Sequence, residues 1–411
     1  MKQRYFIQIK VTQKAREAIE TGHPWVYEGE VLASAEEAMT VENGSLVDVV
    51  SETGKYLGTG MYSEKSKIRV RIISRNANDR FDSAFYERRI KYAWDYRKTV
   101  MGEDINACRI IFGEADFFPG LTVDRFGDIL VTQTLSFGIE KLKPVIFPLL
   151  YKVLTDDGQK INGIFERNDV AIRKLEGLEQ NKGWVTLDVI ATPESTVTTI
   201  CENGIEYEVD FGNGQKTGFF LDQKYNRQAV ARIARGKKVL DCFTHTGSFA
   251  LNAAKGGAEH VNAVDISVSV IELAKKNAVR NGLDSRMEFT VANVFDLLQK
   301  MIEEKDKSYD FIILDPPAFT KSRKTITSAT RGYKEINTAA MKLLPRGGYL
   351  ATCSCSHFME DKLFIKMLHA AAIEASVQLR QIEVRQQSCD HPILWNVPET
   401  DYLKFYIFQV I

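Results

Sequence analysis

The chain has 411 residues, 44% of them hydrophobic and 26% charged, which is ordinary for a soluble globular protein. It is too long for one ordinary hydrophobic core, so we expect two or three domains. Lys+Arg and Asp+Glu are both 54, which excludes binding of nucleic acid through overall charge and leaves only local basic patches.

The six cysteines predict neither a zinc site nor a disulfide framework, because none lies in a Cys-x-x-Cys pair or a Cys/His set with zinc spacing. We therefore expect no metal. The first residues lack the apolar segment of a signal peptide, and no apolar run is long enough to cross a membrane. These features predict a cytoplasmic protein without membrane contact, whose reduced thiols can act as nucleophiles.

Residues 1–75 predict a small β-rich domain, with strands at 46–50, 56–61 and 67–73. Around the last strand, one face carries a basic stripe, and the other face is apolar. The members of this stripe are Lys65, Lys67, Arg69 and Arg71. The stripe is either a phosphate-binding surface or the solvated face of a half-buried strand, and the alternation alone does not decide between them.

A charged amphipathic helix is predicted over residues 82–101, and strands with one helix at about 139–154 follow it. We expect a central α+β domain over residues 76–200. A hairpin with strands at 197–201 and 205–211 leads into a third domain, residues 201–411.

From about residue 222 the pattern alternates strictly between strands and helices. The strands are expected to end near Asp241, Asp265, Val291, Asp315 and Cys355. Five such units predict a parallel, doubly wound sheet, and two final strands at 378–386 and 403–410 add an antiparallel edge. This seven-stranded Rossmann-like α/β arrangement is similar to that of class I methyltransferases.

The strand, turn and helix around Asp241 form a candidate cofactor site. A dinucleotide fingerprint would place three glycines here, but only Gly247 is present, and Phe243 and His245 take the other two positions. A cofactor without a pyrophosphate needs less close backbone approach, which favours S-adenosylmethionine over a nicotinamide dinucleotide. Asp265 ends the next strand, where an acid either binds both ribose hydroxyls or caps the following helix.

Asp315 and Cys355 are the candidate catalytic residues, because the ends of neighbouring strands in such a sheet face one crevice. Cys355 could attack C6 of a cytosine and make C5 nucleophilic toward a sulfonium methyl, since a thiol is a strong nucleophile and a good leaving group. Asp315 could hydrogen-bond the N3/N4 edge and support the developing charge. The residues alone explain Cys355 equally well as a core thiol.

Two more residues near these motifs have open roles. Cys353 lies two residues before Cys355 and points the same way on an ideal strand, but it is deeper and is predicted to fill the core. His391 precedes the last strand and either helps to remove the C5 proton or is a plain surface histidine.

Taken together, the motifs resemble the RlmI-type ribosomal RNA cytosine-5 methyltransferases over nearly the whole chain. Two segments, His23-Pro-Trp25 and Lys67-Ile-Arg69-Val-Arg71, are similar to that family's PUA domain, an RNA-binding β-barrel. The segment Phe118-Pro-Gly120 through Asp128 resembles its central domain. The segments that resemble its methyltransferase domain are Thr217-Gly-Phe-Phe-Leu-Asp-Gln-x-x-Asn-Arg227, Asp241-Cys-Phe-x-x-Thr-Gly247, Asp315-Pro-Pro-x-Phe319, Ser354-Cys-Ser356 and His391-Pro392.

The resemblance implies S-adenosylmethionine as methyl donor and Cys355 as nucleophile. It also implies cytosine C5 as the target, in 23S ribosomal RNA or a large-subunit assembly intermediate. It makes the basic stripe an RNA contact and implies a homodimer. The cofactor contacts that it implies are Phe219, Phe220, Asp222, Arg227, Asp241, Phe243, Thr246, Gly247, Asp265, Ile266, Asn293, Val294, Asp315 and Pro316.

The chain departs from the family pattern at two positions. Asn293 ends the third strand, where the adenine amino group would be read and the family usually has an acid. Cys353 replaces what is often another residue, which leaves the choice of attacking thiol open. The motif after Asp315 also lacks the second catalytic cysteine of other RNA cytosine-5 methyltransferases, so expulsion of the base would need another group.

Other functions stay open. An acid-Pro-Pro-aromatic loop also serves methylation of guanine at N2 or N7, which needs no thiol. A non-catalytic RNA-binding ribosome assembly factor would keep only the barrel and the cofactor fold. A nicotinamide-dependent oxidoreductase explains neither Asp315-Pro-Pro nor Cys355.

Overall fold

The computed structural model describes residues 6–32, 41–320 and 322–411, and their contacts divide the chain into two compact units. The first unit comprises Met1–Ile200, Val209–Leu221 and Cys389–Thr400. The second comprises Cys201–Glu208, Asp222–Ser388 and Asp401–Ile411. The first unit thus contains the predicted β-rich and central regions, and the second contains most of the predicted third domain.

The first unit begins with a five-stranded sheet in the order β1-β3-β4-β5-β2. Its strands are β1 (Ile7–Val11), β2 (Trp25–Tyr27), β3 (Leu46–Ser51), β4 (Tyr56–Tyr62) and β5 (Ile68–Ser74). Helix α1 (Gln13–Glu20) follows Thr12, whose hydroxyl accepts a hydrogen bond from the Ala15 amide. Val70 and Ile72 of β5 point into the core, as the alternation predicts.

A second five-stranded sheet in the same unit has the order β10-β9-β8-β7-β6. Its strands are β6 (Ala107–Phe112), β7 (Leu121–Phe126), β8 (Ile129–Thr134), β9 (Gly163–Arg167) and β10 (Lys182–Trp184). Helix α2 (Ser83–Met101) precedes this sheet and is capped by the Asp82 carboxylate, which accepts from the Phe85 amide at 3.0 Å. Strands β8 and β9 are parallel because helix α3 (Phe137–Asp156) carries the chain back between them.

A hairpin of β11 (Val197–Glu202) and β12 (Ile205–Asp210) leads to the largest sheet. Both turn residues of this hairpin, Asn203 and Gly204, have positive φ angles of 55° and 70°. Such angles match the twist that a two-residue hairpin turn requires.

The second unit contains a seven-stranded sheet in the order β15-β14-β13-β16-β17-β19-β18. Its strands are β13 (Lys238–Cys242), β14 (His260–Asp265), β15 (Met287–Val291), β16 (Phe311–Leu314), β17 (Tyr349–Ser354), β18 (Leu379–Arg385) and β19 (Lys404–Val410). β19 is antiparallel to both of its neighbours, and the pairings among β13 to β17 are parallel. The predicted doubly wound sheet with an antiparallel edge is confirmed.

Five of the helices in this unit alternate with the strands as predicted, whereas the first, which precedes β13, was not among the predicted helices. The helices are α4 (Lys224–Ile233), α5 (Ser248–Lys255), α6 (Val268–Arg280), α7 (Val294–Glu303), α8 (Ile326–Leu343) and α9 (Asp361–Ala375). Side chains from both faces of the sheet are buried in separate apolar clusters, with Leu240 in one and Val239 in the other. Burial on both faces explains the continuous apolar runs of the central strands.

Strand β13 pairs with β14 on one side and with β16 on the other, so the strand order reverses between β13 and β16. In open α/β sheets, ligands bind in the crevice outside the carboxyl ends of the strands at such a point. The ends of β13, β16 and the adjacent β17 therefore define the candidate site.

Within the described ranges, no helix combines the length and the apolar character needed to cross a membrane.

Candidate active site

Asp315 and Cys353 meet at the carboxyl ends of β16 and β17. Leu314 pairs in register with Thr352, so the residues that follow them are neighbours. The Cys353 thiol donates a hydrogen bond to Asp315 Oδ1 at 2.9 Å, and Gln223 Nε2 donates to the same oxygen at 3.1 Å. Two internal donors thus hold one oxygen of the Asp315 carboxylate in place.

Cys353 has a polar role that its sequence position does not reveal. The residue is 1% exposed, as predicted for a core thiol. Burial raises the pKa of Cys353 well above its usual range, and the Asp315 carboxylate adds to this effect. Cys353 therefore stays protonated and acts as a donor. Cys353 thus lies in the core, as predicted, and also contacts Asp315.

Gln223 is oriented by two residues behind it. Asn226 Nδ2 donates to Gln223 Oε1 at 2.7 Å, and Arg385 Nε donates to Asn226 Oδ1 at 3.0 Å. Since the oxygen of the Gln223 amide is occupied, its NH₂ group faces Asp315. None of these three residues was among the predicted site residues. Gln223 and Asn226 lie in the segment 217–227 that resembles a family motif, but Arg385 carries no comparable signal.

Cys355 follows β17 and is partly exposed, unlike Cys353. Ser354 Oγ, on one side of it, donates to the Tyr333 hydroxyl at 3.0 Å. Ser356 Oγ, on the other side, donates to the Thr320 carbonyl at 2.8 Å. The backbone that carries the Cys355 thiol is therefore fixed on both sides.

Lys404 brings a positive charge to the same place. Its ammonium group is buried and donates to the backbone carbonyls of Ser356 at 2.8 Å and Tyr402 at 2.9 Å. Burial lowers the pKa of Lys404, and nearby negative charges, including Asp401 and ionised Cys355, oppose this. Because this interaction is mutual, the Lys404 ammonium favours the thiolate form of Cys355.

The turn after β13 has three residues with positive φ angles, and only one of them is a glycine. Phe243, His245 and Gly247 have φ angles of 64°, 51° and 82°. Residues other than glycine rarely adopt these left-handed backbone angles. Where they do, the residue is often part of a functional site. The His245 amide donates to Asp265 Oδ2 at 3.0 Å, which holds the turn against the end of β14.

Asp241, at the end of β13, is fully buried. Its Oδ2 accepts hydrogen bonds from the Thr244 hydroxyl at 2.5 Å and the Ala250 amide at 2.9 Å. Burial raises the pKa of Asp241 to about 7, although the Thr244 hydrogen bond opposes the rise. Asp241 Oδ1 and Thr246 Oγ1 are buried without a hydrogen-bond partner in the described parts of the chain. Burial of a polar atom without a hydrogen-bond partner lowers the stability of the fold by about 1–3 kcal/mol. A polar ligand group that bonds to these atoms would remove this cost.

Asp265 accepts hydrogen bonds from two backbone amides, and its predicted contact with ribose stays a prediction. Its Oδ2 holds the His245 amide, and its Oδ1 accepts from the Ser267 amide at the start of α6 at 3.0 Å. A carboxylate has about four acceptor positions, so two can still accept from ribose hydroxyls. The adjacent Ile266 is 68% exposed and offers an apolar surface for a flat base.

The predicted adenine contacts lie at the start of α7. Asn293 is exposed, and its Oδ1 accepts from the Phe295 amide at 3.0 Å as the cap of the helix. Val294 is 2% exposed and packs in the core beside Leu298. Contact of either residue with adenine stays a prediction.

Asp222 and Arg227 lie in the second unit, on the segment that leads into α4. Asp222 Oδ2 accepts from the Tyr402 hydroxyl at 2.7 Å. Arg227 is 1% exposed and pairs with Glu202, which is fully buried. The Arg227 guanidinium neutralises Glu202 inside the fold, and contact of Arg227 with the cofactor stays a prediction. Pro316, which follows Asp315, is buried.

Three of the predicted catalytic and cofactor-binding residues belong to the first unit. Phe219 is 4% exposed, and the ring of half-buried Phe220 lies 4.8 Å from Lys216 Nζ. His391 is 2% exposed, and its Nδ1 lies 2.9 Å from Asp390 Oδ1. The interpretation of His391 as a surface histidine is therefore wrong. Its role in proton removal stays a prediction.

The basic stripe is only partly available to a ligand. Arg71 is 8% exposed, and its guanidinium pairs with buried Glu176 at 2.7 Å. Arg71 is therefore withdrawn from the predicted RNA contacts. The Arg69 guanidinium pairs with Glu28 at 2.6 Å. Lys65 and Lys67 precede β5 and are exposed, so they are the members of the stripe that can meet a phosphate.

The residues with assigned positions contain no group of three or more His, Cys, Asp or Glu side chains that could hold a metal ion.

Two family models match the chain. The model described as S-adenosylmethionine-dependent methyltransferase matches residues 184–394. A model described as a PUA-like domain matches residues 9–75, which contain the first sheet from Ile9 onward.

Curated relatives match nearly the full length. Ribosomal RNA large subunit methyltransferase I from Klebsiella pneumoniae is 39% identical over 391 residues, which are 95% of this chain and 94% of the relative. The protein of the same name from Shewanella denitrificans is 39% identical over 406 residues, which are 98% of this chain and 99% of the relative.

A solved structure from Streptococcus mutans, a proposed S-adenosylmethionine-dependent methyltransferase, matches with a TM-score of 0.81. It covers 98% of this chain and 100% of its own, at 22% identity. At that identity the match supports the fold alone.

Proposed function

Since this chain belongs to the S-adenosylmethionine-dependent methyltransferases, in the family of ribosomal RNA large subunit methyltransferase I, and takes S-adenosylmethionine as its cofactor, we propose that it methylates C5 of a cytosine in 23S ribosomal RNA. The observation that carries the proposal is the Cys355 thiol, which is partly exposed, fixed on both sides and close to a buried ammonium group. Transfer of a methyl group to a nitrogen needs no such thiol, whereas C5 of cytosine is not nucleophilic until C6 has been attacked.

In the proposed reaction the Cys355 thiolate forms a bond to C6, and the electron pair of the C5–C6 double bond moves to C5. Bound S-adenosylmethionine supplies an electrophilic methyl group to C5. Loss of the C5 proton to a base then lets the C6–sulfur bond break, which restores the double bond and returns the thiolate. The Lys404 ammonium stabilises the thiolate at the first and last of these steps.

Asp315 is proposed to grip the edge of the cytosine. Both of its internal hydrogen bonds, from Cys353 and Gln223, go to Oδ1. The N4 amino group of cytosine is a donor that suits Oδ2, whereas O4 of uracil would be repelled. The protonated, buried Cys353 is thus proposed to position Asp315, and Cys355 to attack.

The cofactor fits the turn after β13. The unpartnered Asp241 Oδ1 and Thr246 Oγ1 are acceptors, and S-adenosylmethionine carries an ammonium group that can donate to them. Asp265 and Ile266 would hold the ribose and the adenine.

The experiment that tests this function is nucleoside mass spectrometry on unmodified 23S RNA incubated with the protein and S-adenosylmethionine. We expect a gain of 5-methylcytidine, on naked RNA or on a large-subunit assembly intermediate. A gain of methylguanosine instead would contradict the thiol chemistry and keep the cofactor. The absence of any methylation on both substrates would favour a non-catalytic RNA-binding factor.

Cofactor affinity is expected to fall as pH drops through 7. The free protein has an Asp241 pKa of about 7, so below this pH its carboxyl is neutral and no longer attracts the ammonium group. Binding should weaken by up to about tenfold per pH unit below 7. Calorimetric titration of S-adenosylmethionine across pH 6 to 8 measures this.

The Asp241→Asn variant is expected to bind S-adenosylmethionine weakly at every pH, and its affinity should no longer depend on pH. Asp284→Asn alters an exposed carboxylate in the same unit, and its cofactor affinity should keep the dependence on pH. If the affinity of Asp241→Asn for the cofactor still fell with pH as in the unmodified protein, another group would have to bind the proton.

Lys404→Met is expected to shift alkylation of Cys355 by iodoacetamide to higher pH, by about one unit, because the neighbouring charge is lost. Mass spectrometry of the alkylated peptide over a pH series measures the shift. Lys404→Arg keeps the charge and should alkylate nearly as the unmodified protein does. Equal profiles for Lys404→Met and the unmodified protein would remove Lys404 from the activation of Cys355.

A further inference from the structure

The first unit contains a cavity of about 460 Å³ beside helix α2 that no step of the proposed reaction uses. Arg89, Tyr92 and Tyr96 line it from α2, and their spacing places them on one face of the helix. Phe117 lines it from the turn after β6, where a short 3-10 helix, Gly113–Asp116, ends. The volume lies in the range of small-ligand pockets, which is about 300–1,000 Å³.

Arg89 is the main charged group of this cavity. Its guanidinium carbon lies 4.6 Å from the ring centroid of Phe85 and 4.9 Å from that of Phe117. Burial lowers the pKa of Arg89 to about 10, so it is still positive at neutral pH. The guanidinium has cation–π partners but no hydrogen bond or ion pair to any residue that the structure places. Its five N–H donors are therefore available to a ligand.

The other charges at the cavity are already paired. Asp116 accepts hydrogen bonds from buried Arg97 at 2.7 Å and from the Phe112 amide at 2.6 Å. Asp79 lies 3.6 Å from the Arg88 guanidinium. The Asp79 charge also acts on Arg89. Three arginines, Arg88, Arg89 and Arg97, thus face two carboxylates, which leaves a net positive charge that suits an anion.

Aromatic rings surround this charge and remain open to solvent. Tyr92 is 65% exposed and Phe117 is 49% exposed. Phe117 also adopts a φ of 60°, a strained conformation for a bulky side chain and one that is typical of binding sites. The Tyr96 hydroxyl donates to the Cys389 carbonyl at 2.9 Å, which fixes its ring at the rim.

We propose that this cavity binds one nucleotide of a single-stranded RNA segment, with the base stacked on Tyr92 and Phe117 and the phosphate on Arg89. Exposed aromatic rings beside an unpaired arginine are the features with which proteins bind single-stranded nucleic acid. A concave site of this size fits a nucleotide better than the flat surface of a protein partner. The inference rests on the proposed function, because it takes RNA as the substrate.

The test is fluorescence anisotropy of the full-length protein with a labelled, unstructured oligocytidine. Tyr92→Ala and Arg89→Gln are each expected to weaken binding about tenfold. Tyr92→Phe keeps the ring and should bind normally. Lys91→Gln removes a positive charge from the same helix outside the cavity lining and is the matched control. Arg89→Gln, but not Tyr92→Ala, should also reduce the salt dependence of binding by about one phosphate contact.

Wild-type affinity in Tyr92→Ala would overturn the proposal. The Tyr92 side chain is mostly exposed, so we expect this variant to fold normally. Unchanged RNA affinity together with altered self-association of the variants would instead assign the surface to a protein contact. The binding assay needs neither cofactor nor turnover. If the protein does not methylate cytosine, the binding assay still tests the cavity. If the protein methylates RNA but both variants bind RNA normally, only the proposed role of the cavity is rejected.

Discussion

Cys355→Ser is expected to lower turnover by about 10⁴-fold or more while S-adenosylmethionine binds with nearly unchanged affinity. A hydroxyl is a far weaker nucleophile at neutral pH than a thiolate, so attack on C6 would almost stop. The proposed cofactor contacts come from the ends of β13 and β14 and do not include Cys355. Single-turnover methyl transfer to 23S RNA and calorimetric titration of the cofactor measure the two quantities separately.

Cys353→Ser is the matched control for this prediction. Its hydroxyl can still donate to Asp315, so we expect most of the activity to remain. Cys353→Ala leaves Asp315 with only the Gln223 donor and should lose more activity than Cys353→Ser does. If Cys353→Ser abolished turnover while Cys355→Ser kept it, the roles of the two thiols would have to be exchanged.

Arg71→Ala is expected to destabilise the first unit by about 3–5 kcal/mol, because it leaves the Glu176 charge buried without its partner. Glu176 is 2% exposed and also accepts a hydrogen bond from Ser63 at 2.9 Å, so it cannot turn toward water easily. Urea unfolding followed by tryptophan fluorescence reports this unit selectively. All four tryptophans of the chain lie in it, at positions 25, 94, 184 and 395.

The control variants separate charge burial from general damage to the sheet. Lys67→Ala, just before the same strand, should change stability by no more than about 0.5 kcal/mol. Adding Glu176→Gln to Arg71→Ala should recover part of the loss, since the unpaired charge is gone. No recovery in the double variant would show that Arg71 acts through packing alone. Tests of RNA binding by the stripe should accordingly use Lys65 and Lys67 and leave Arg71 intact.

The periodic features of the fold were predictable from the sequence. Strands buried on both faces alternate with helices from residue 222 onward, which implies the parallel part of the sheet, and two final strands without a helix between them imply the antiparallel edge. The rule that ligands bind at the carboxyl ends of such strands then places Asp241, Asp265 and Asp315 at one crevice. Side-chain alternation likewise predicts that Val70 and Ile72 face the core.

Contacts between distant parts of the chain were not predictable. The register of β16 and β17 sets the Cys353–Asp315 hydrogen bond, and no local pattern specifies that register. Arg385 reaches Gln223 through Asn226 only because β18 lies near the start of α4 in the folded unit. Strand alternation shows which face Arg71 occupies but not that Glu176 covers it.

The measurement that tests the central claim most directly is trapping of the covalent intermediate. The protein is incubated with S-adenosylmethionine and target RNA in which cytidine is replaced by 5-fluorocytidine. Fluorine at C5 cannot be removed as a proton, so the sulfur–C6 bond should persist, and peptide mass spectrometry should locate the nucleotide on Cys355. A methylated product without any trapped adduct, or an adduct on Cys353, would contradict attack by Cys355.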